Sequence, residues 1–236
     1  TIAFGQHGNA QVASQRMNTT ELLATLLDLQ PRVVVEGAES DDDKVKRTLA
    51  DLAENCPQEF DKFTVQEQLL GRADPEPLKE VLSQEVDRYN ALIRVIRKTV
   101  VNLDLGIDGL VSITSELENV YDSLLTGRVP TTWNQCFPSL KPLGSWTGNL
   151  WKRLQQIRDW IMVGMPTCFW MEGITFPTAF LTAVLQASAR KNAVSIDGLG
   201  WDFSVMSNKP TAQPKEGFYC EGAFAEGFDW SREGGH

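Results

Sequence analysis

Pro166-Thr167-Cys168-Phe169-Trp170-Met171-Glu172-Gly173-Ile174-Thr175-Phe176-Pro177 is the stretch at which the texture of the sequence changes. Cys168-Phe169-Trp170-Met171 is a short aromatic run that suits a strand. Pro177 fits the first turn of a helix, where its missing N–H is no loss and its fixed φ is already helical. That helix carries Phe180, Leu181, Val184 and Leu185. Further on, Trp201-Asp202-Phe203-Ser204-Val205 alternates with the period of a strand. Residues 217–224 read the same way, with Phe218, Cys220 and Gly222 on one face and Tyr219 and Glu221 on the other. What precedes Pro166 reads as helix. Helices first and strands last predict an α+β protein rather than alternating βαβ units. The expected layout is an N-terminal helical bundle over residues 1–165 and a helix plus β-rich cap over 166–236.

Upstream, the helices announce themselves by caps and stripes. Asn18-Thr19-Thr20-Glu21 has the form of a capping box, with Leu22, Leu23, Leu26, Leu27 and Leu29 behind it and Pro31 as a stop. Ser40 followed by Asp41, Asp42 and Asp43 opens the next helix. The hydroxyl accepts a free backbone N–H, and the acids meet the positive end of the helix dipole. Val45, Leu49, Leu52 and Cys56 are its apolar stripe, and Pro57 ends it. Asp74-Pro75-Glu76-Pro77 starts a long helix whose stripe runs Leu78, Val81, Leu82, Val86, Tyr89, Ile93, Ile96, Val100 and Leu103. Its predicted length is roughly 40 Å at 1.5 Å per residue, with Gly106 at its end. Asp108 is placed to cap a helix carrying Leu110, Ile113, Leu117, Val120, Tyr121 and Leu124, with Gly127 as its C′ residue. Residues 129–144 form a connector containing Pro and Trp. Ser145 then opens a helix with Trp146, Leu150, Leu154, Ile157 and Ile161 on one face, closed by Gly164 and Pro166.

Composition narrows the partners. An apolar fraction of 42% over 236 residues is ordinary for a globular protein. Folding at this length buries about 70% of the extended polypeptide's surface, so a core needs no staples. A net charge of −9 repels a phosphate backbone, which argues against nucleic acid. No apolar segment reaches the ~20 residues of a membrane span, and residues 1–10 lack the features of a signal peptide. Cys56, Cys136, Cys168 and Cys220 match no zinc spacing and read as free thiols in a reducing compartment.

The motifs of catalysis are missing. No Gly-x-x-x-x-Gly-Lys-Ser/Thr phosphate loop, no Gly-x-Gly-x-x-Gly after a strand and no Gly-x-Ser-x-Gly occurs. His7 and His236 stand near the two ends and read as surface or capping residues. Asp41-Asp42-Asp43 lacks the spacing of a calcium loop. The reading is therefore of no catalytic residue, no cofactor and no metal, although an acid pair among the many carboxylates stays open. The seven tryptophans suit a core or an interface better than a ligand-stacking surface. Trp151 and Trp160 lie off the main stripe of their helix and are the candidate interface residues.

The words from Pro166 through Phe176-Pro177-Thr178-Ala179-Phe180-Leu181-Thr182 resemble the Phe-Trp-Leu-x-Gly-(aromatic)-Pro-x-Gly-Phe-Leu-Thr segment found in the C-terminal domains of dynein heavy chains. Leu185-Gln186, Ala189-Arg190-Lys191 and Ile196-Asp197 continue the pattern. Gly217-Phe218-Tyr219-Cys220-Glu221-Gly222, with Glu226-Gly227 and Asp229-Trp230, is similar to a later word of the family. Upstream, Gly109-Leu110-Val111 with Ser115-Glu116-Leu117-Glu118 resembles Gly-Leu-Val-x-Met-Ser-x-x-Leu-Glu. Arg88-Tyr89-Asn90, Val129-Pro130 with Trp133, and Pro138-Ser139-Leu140-Lys141-Pro142-Leu143 with Trp146 agree in order. Gly5, His7, Asn9-Ala10 and Leu29-Gln30-Pro31-Arg32 look like the start of the domain in its axonemal form. Gln6, Gly8, Ala179 and the order Phe228-Asp229-Trp230 depart from the pattern.

The resemblance implies a non-catalytic regulatory and structural domain lying on a ring of six AAA modules in the same heavy chain. It also implies that the β-rich cap is a small antiparallel sheet or barrel, left incomplete if the strands that close it lie past His236. It implies an ATP-driven, minus-end-directed microtubule motor, with ATP bound elsewhere in that polypeptide. Its partners would be the AAA modules and, through the parent complex, other dynein subunits, with no nucleic acid and no membrane. Its place would be the cytoplasm, the cilium or flagellum axoneme and the cytoskeleton. The sequence begins without Met and ends Ser231-Arg232-Glu233-Gly234-Gly235-His236, and both ends are expected to be cuts from a longer polypeptide. Two readings rest on the residues alone: a hydrolase using an acid pair, and a stand-alone scaffold that binds a partner helix through Trp151 and Trp160.

Overall fold

The computed structural model describes residues 15–20, 22, 23, 25, 26 and 40–223. From residue 40 on, the described elements run α1 (Asp41–Asn55), α2 (Lys62–Leu70), α3 (Glu76–Ile107), α4 (Ser115–Leu125), α5 (Thr131–Cys136), α6 (Leu143–Met162), β1 (Cys168–Trp170), α7 (Pro177–Asn192) and β2 (Tyr219–Glu221). Short 3-10 turns occur at Met171–Gly173 and Ile196–Gly198. The protein divides into two compact units. A mixed unit combines the described residues of Phe60–Asp87 and Lys152–His236, and a helical unit combines those of Gln15–Glu59 and Arg88–Trp151. Helices α3 and α6 each give residues to both units.

In the mixed unit, β1 and β2 form a two-stranded parallel sheet in which Cys168 faces Tyr219, Phe169 faces Cys220 and Trp170 faces Glu221. This corrects the expectation of an antiparallel sheet or barrel. An antiparallel pair closes through a tight hairpin, whereas parallel strands need a crossover of a dozen or more residues. Here α7 supplies it. The run from Trp201 to Val205 forms no strand. Its alternation serves ring packing instead: Trp201 stands 6.1 Å from Phe203 and 5.8 Å, edge-on, from Phe218. Of residues 217–224 only Tyr219–Glu221 is strand, and Phe224 lies outside the described residues. The core is aromatic. Phe169 and Phe180 are 4.7 Å apart, Trp160 is 5.1 Å from Phe169, and Phe218 closes on Phe180 at 5.0 Å. Pro177 occupies the first turn of α7, as predicted.

In the helical unit the α1 cap is as read. Ser40 Oγ accepts from the Asp43 N–H at 3.1 Å, and Val45, Leu49, Leu52 and Cys56 are all buried. At its other end, Arg97 donates to the carbonyls of Cys56 and Pro57, answering acceptors that a helix end leaves over. Helix α3 has 32 residues, about 48 Å at 1.5 Å per residue. Tyr89, Ile93, Ile96, Val100 and Leu103 are buried on it. It stops through Gly109 rather than Gly106. Gly109, at φ +74°, donates to Gly106 O, and Leu110 donates to Leu105 O. Helix α4 then starts at Ser115, not at Asp108, because Thr114 supplies the cap and the Asp108 carboxylate is taken by Lys46. Leu110 and Ile113 therefore sit in a turn and not on a helical stripe. The end of α4 is as read: Gly127 at φ +65° donates to Leu124 O, and Arg128 donates to Ser123 O.

The connector contains a helix that periodicity did not show. Trp133 on α5 is fully buried, stacked on Trp146 at 5.9 Å, and the Trp146 indole donates to Phe137 O. Residues 15–20 are helical and the Thr19 and Thr20 hydroxyls donate to the carbonyls of Gln15 and Arg16, so Asn18 lies inside a helix and is not its cap. Leu27, Leu29 and Pro31 lie outside the described residues.

Helices α1 and α4 are tied by the Tyr121 hydroxyl, which donates to Asp42 at 2.7 Å. That hydrogen bond, followed by partial burial and the charges of Asp42, Asp41 and Asp122, pushes the Tyr121 pKa up to about 12. Because the folded value lies above the unfolded value of about 10, the contribution is intact below pH ~10 and is lost as pH rises toward ~12. We expect Tyr121→Phe to delete a phenolate transition near pH 12 from an ultraviolet titration, and Asp42→Asn to move that transition toward 10. An unmoved midpoint in Asp42→Asn would contradict the assignment.

Candidate interaction surface

The words that carry the resemblance are anchored in the mixed unit by two side chains. Glu85, on α3, is wholly buried. Its Oε2 accepts from the Thr175 N–H at 2.9 Å, and its Oε1 accepts from the Thr175 hydroxyl at 2.8 Å and the Phe176 N–H at 3.2 Å. Phe176 is the N-cap of α7 and its own side chain makes no capping bond, while the distant carboxyl group accepts from the N–H groups of Phe176 and the residue before it. Charge-assisted bonds of this kind offset the cost of burying an ion. The reading of the stripe passed over Glu85. The available signal was its position, since it falls at helical spacing among Leu82, Val86 and Tyr89.

Gln156, on α6, is the second anchor. Its amide donates to Trp170 O at 3.1 Å and accepts from the Trp170 N–H at 2.8 Å, pairing with the strand edge as a neighbouring backbone would. Gly173 leaves the room for it, because a Cβ there would stand 2.5 Å from Gln156 Nε2. Lys152 Nζ lies 4.0 Å from the centre of the Trp170 ring. The distinctive residues from Trp170 to Phe176 are thus held as structure.

The two tryptophans singled out as interface residues differ. Trp160 is 1% exposed and packs edge-on against Phe169 and Phe180, so it is committed to the protein's own core. It falls off the stripe because its half of α6 faces a different set of partners from those of Trp146 and Leu150. Trp151 is half-buried. The surface of the helical unit carries exposed apolar side chains at Leu110, Val111 and Ile113, in the turn before α4. In the mixed unit, a cleft of about 430 Å³ opens between α2 and the start of α3, lined by Val65, Leu69 and Val86. An ion pair between Lys62 and Asp87, two more residues of its lining, is 2.6 Å long.

For chemistry the described residues offer little. Burial pushes the thiols of Cys56 and half-buried Cys168 up, which keeps them protonated and poorly nucleophilic, while Cys220 is exposed. Among the described residues no group of three or more His, Cys, Asp or Glu is placed to hold a metal, and no helix is long and apolar enough to cross a membrane.

Against known families, the model for the C-terminal domain of the dynein heavy chain matches residues 16–236. The protein belongs to that family. Among curated relatives, the dynein-1-beta heavy chain of the flagellar inner arm I1 complex from Chlamydomonas reinhardtii is 42% identical over 99% of the present sequence. Human dynein axonemal heavy chain 2 is 40% identical over 98%, and human dynein axonemal heavy chain 1 is 38% identical over 98%. The present sequence spans about 5% of the length of the first two relatives and 6% of the third.

The Glu85 anchor makes a stability prediction for this dynein domain. Glu85→Ala takes the carboxylate acceptor from two amides and a hydroxyl at the start of α7, which should cost about 3 kcal/mol or more in urea unfolding. Glu85→Gln, which keeps one acceptor, should cost clearly less. A loss below about 0.5 kcal/mol for Glu85→Ala would show that the anchor carries no net weight.

Proposed function

We propose that this protein is a structural and regulatory domain, without catalysis of its own, of an axonemal dynein heavy chain. The parent protein would be an ATP-driven, minus-end-directed microtubule motor working in the axoneme of cilia or flagella. The observation that carries this reading is the family match over residues 16–236, joined by the flagellar and axonemal names of the relatives. The physical features agree with it. An uninterrupted 32-residue helix and a hydrogen-bonded anchor suit a part that transmits load. Apolar side chains held outward suit a part that packs against a larger body.

In this reading the partners are AAA modules of the same heavy chain, and the other dynein subunits are met through the parent complex. Trp151, half-buried, stays a candidate contact. The mechanism is mechanical. Contacts that differ between ring states bias those states, so the domain couples or restrains motions that ATP drives elsewhere. No cofactor or metal is required of the domain. The test is to remove residues 1–236 from the full heavy chain and compare nucleotide-dependent motility with the intact motor. Altered speed, stall force or run length is expected, and unchanged values of all three would overturn the role.

A further inference from the structure

In the helical unit, the turn that joins α3 to α4 displays its apolar side chains in a fixed arrangement. Leu110 is 72% exposed, and Val111 and Ile113 are each 44% exposed. The turn is nevertheless closely determined. The Gly109 and Leu110 N–H groups close back on the carbonyls of Gly106 and Leu105 at 3.0 and 2.9 Å. Ile113 leans on the last turn of α3, since a Cβ at Gly106 would stand 3.2 Å from its Cγ1. Thr114 caps the helix that follows. A frayed loop with apolar residues would lose conformational entropy on binding, whereas this turn is ordered beforehand.

Along the sequence from α3 through the turn into α4 the charges are of one sign. Asp104, Asp108, Glu116, Glu118 and Asp122 lie between Lys98 and Arg128, and no Lys or Arg lies among them. Helix α1 adds Asp41, Asp42 and Asp43 at its start, and its Lys46 pairs with Asp108. Lys46 holds its proton more tightly than usual, first through the hydrogen bond to Asp108 and then through the charges of Asp108, Asp104 and Asp43. Lys44 of α1 pairs with Asp41 at 2.7 Å in the same way, and the acids of the two segments still outnumber these two cations.

From these observations we infer that Leu110, Val111 and Ile113 form a docking knob for an apolar pocket edged by lysine or arginine. The inference rests on the heavy-chain reading above, and it commits the pocket to another part of the same heavy chain. The relatives are about twenty times longer than the present sequence, so a covalently joined partner is present at high effective concentration. The apolar side chains supply the buried centre of such a contact, and the acids supply its orientation and its salt dependence.

Hydroxyl-radical footprinting of the intact heavy chain tests this, with Leu110 labelling read against the unfolded protein. At about 0.05 M salt Leu110 should be protected, and its labelling should rise roughly tenfold at about 0.5 M salt, where the rim charges are screened. The double variant Glu116→Gln/Glu118→Gln should bring much of that rise at low salt. Both residues are exposed, so the fold is expected to survive, and buried Ile93 should stay unlabelled throughout as the check. Leu110 labelled at low salt as fast as in the unfolded protein would overturn the docking knob, and protection indifferent to salt and to the variant would overturn the basic-edged pocket. A motor whose motility changes on removal of the domain while Leu110 stays open keeps its bracing role and loses this surface, so the two readings fail separately.

Discussion

One buried carboxylate decides how the most distinctive part of this protein is arranged. The Glu85 carboxyl group is shielded from solvent, and its oxygens accept from two amides and a hydroxyl at the start of α7. The converse also holds. The Phe176 side chain makes no capping bond to α7, so the helix start relies on the acceptor that Glu85 brings to it. With α7 so placed, Phe180 meets Phe169 and Trp160, and β2 has a formed edge on β1 to join. The Gln156 amide does the same for Trp170 on a smaller scale, and Gly173 is small because that amide needs the room.

The helical unit is ordered by its ends as much as by its stripes. Two helices stop through glycines in left-handed geometry, at Gly109 and Gly127, each with the same pair of closing hydrogen bonds. Such stops are sharp, and they leave the following residues in defined positions. After Gly127 the backbone enters the stacked Trp133 and Trp146. After Gly109 it enters a turn whose apolar residues face outward. The same device thus serves packing at one site and display at the other.

In this dynein C-terminal domain several polar side chains serve as structural ties. The thiols of Cys56 and Cys168 are held protonated, and several carboxylates are occupied in caps and ties: Glu85 on α7, Asp42 on Tyr121, Asp61 on the start of α2. The turn between α3 and α4 differs from these ties in leaving apolar side chains at the surface.

The long helix, its stripe, the Ser40 cap, the Gly127 stop and the strand at Cys168 to Trp170 were legible in the sequence, because each depends on residues within a few positions of one another. The membership of the family was legible too, in words spread from Gly5 to Trp230. The start of α4 was not, because Asp108 and Thr114 are both competent caps and the distant Lys46 claimed the first. Nor was the role of Trp160, whose angle on α6 means nothing until Phe169 and Phe180 are brought to it. Strand direction belongs to the same class. Alternation says that a segment is extended, while parallel or antiparallel pairing depends on what the intervening residues do, and here they form a helix. Sequence alone determined the helices α1, α3, α6 and α7 and the family to which the protein belongs. Tertiary structure decided which polar groups satisfy each other across long separations, above all Glu85 with Thr175 and Phe176, because such pairs meet only after the helices between them have packed.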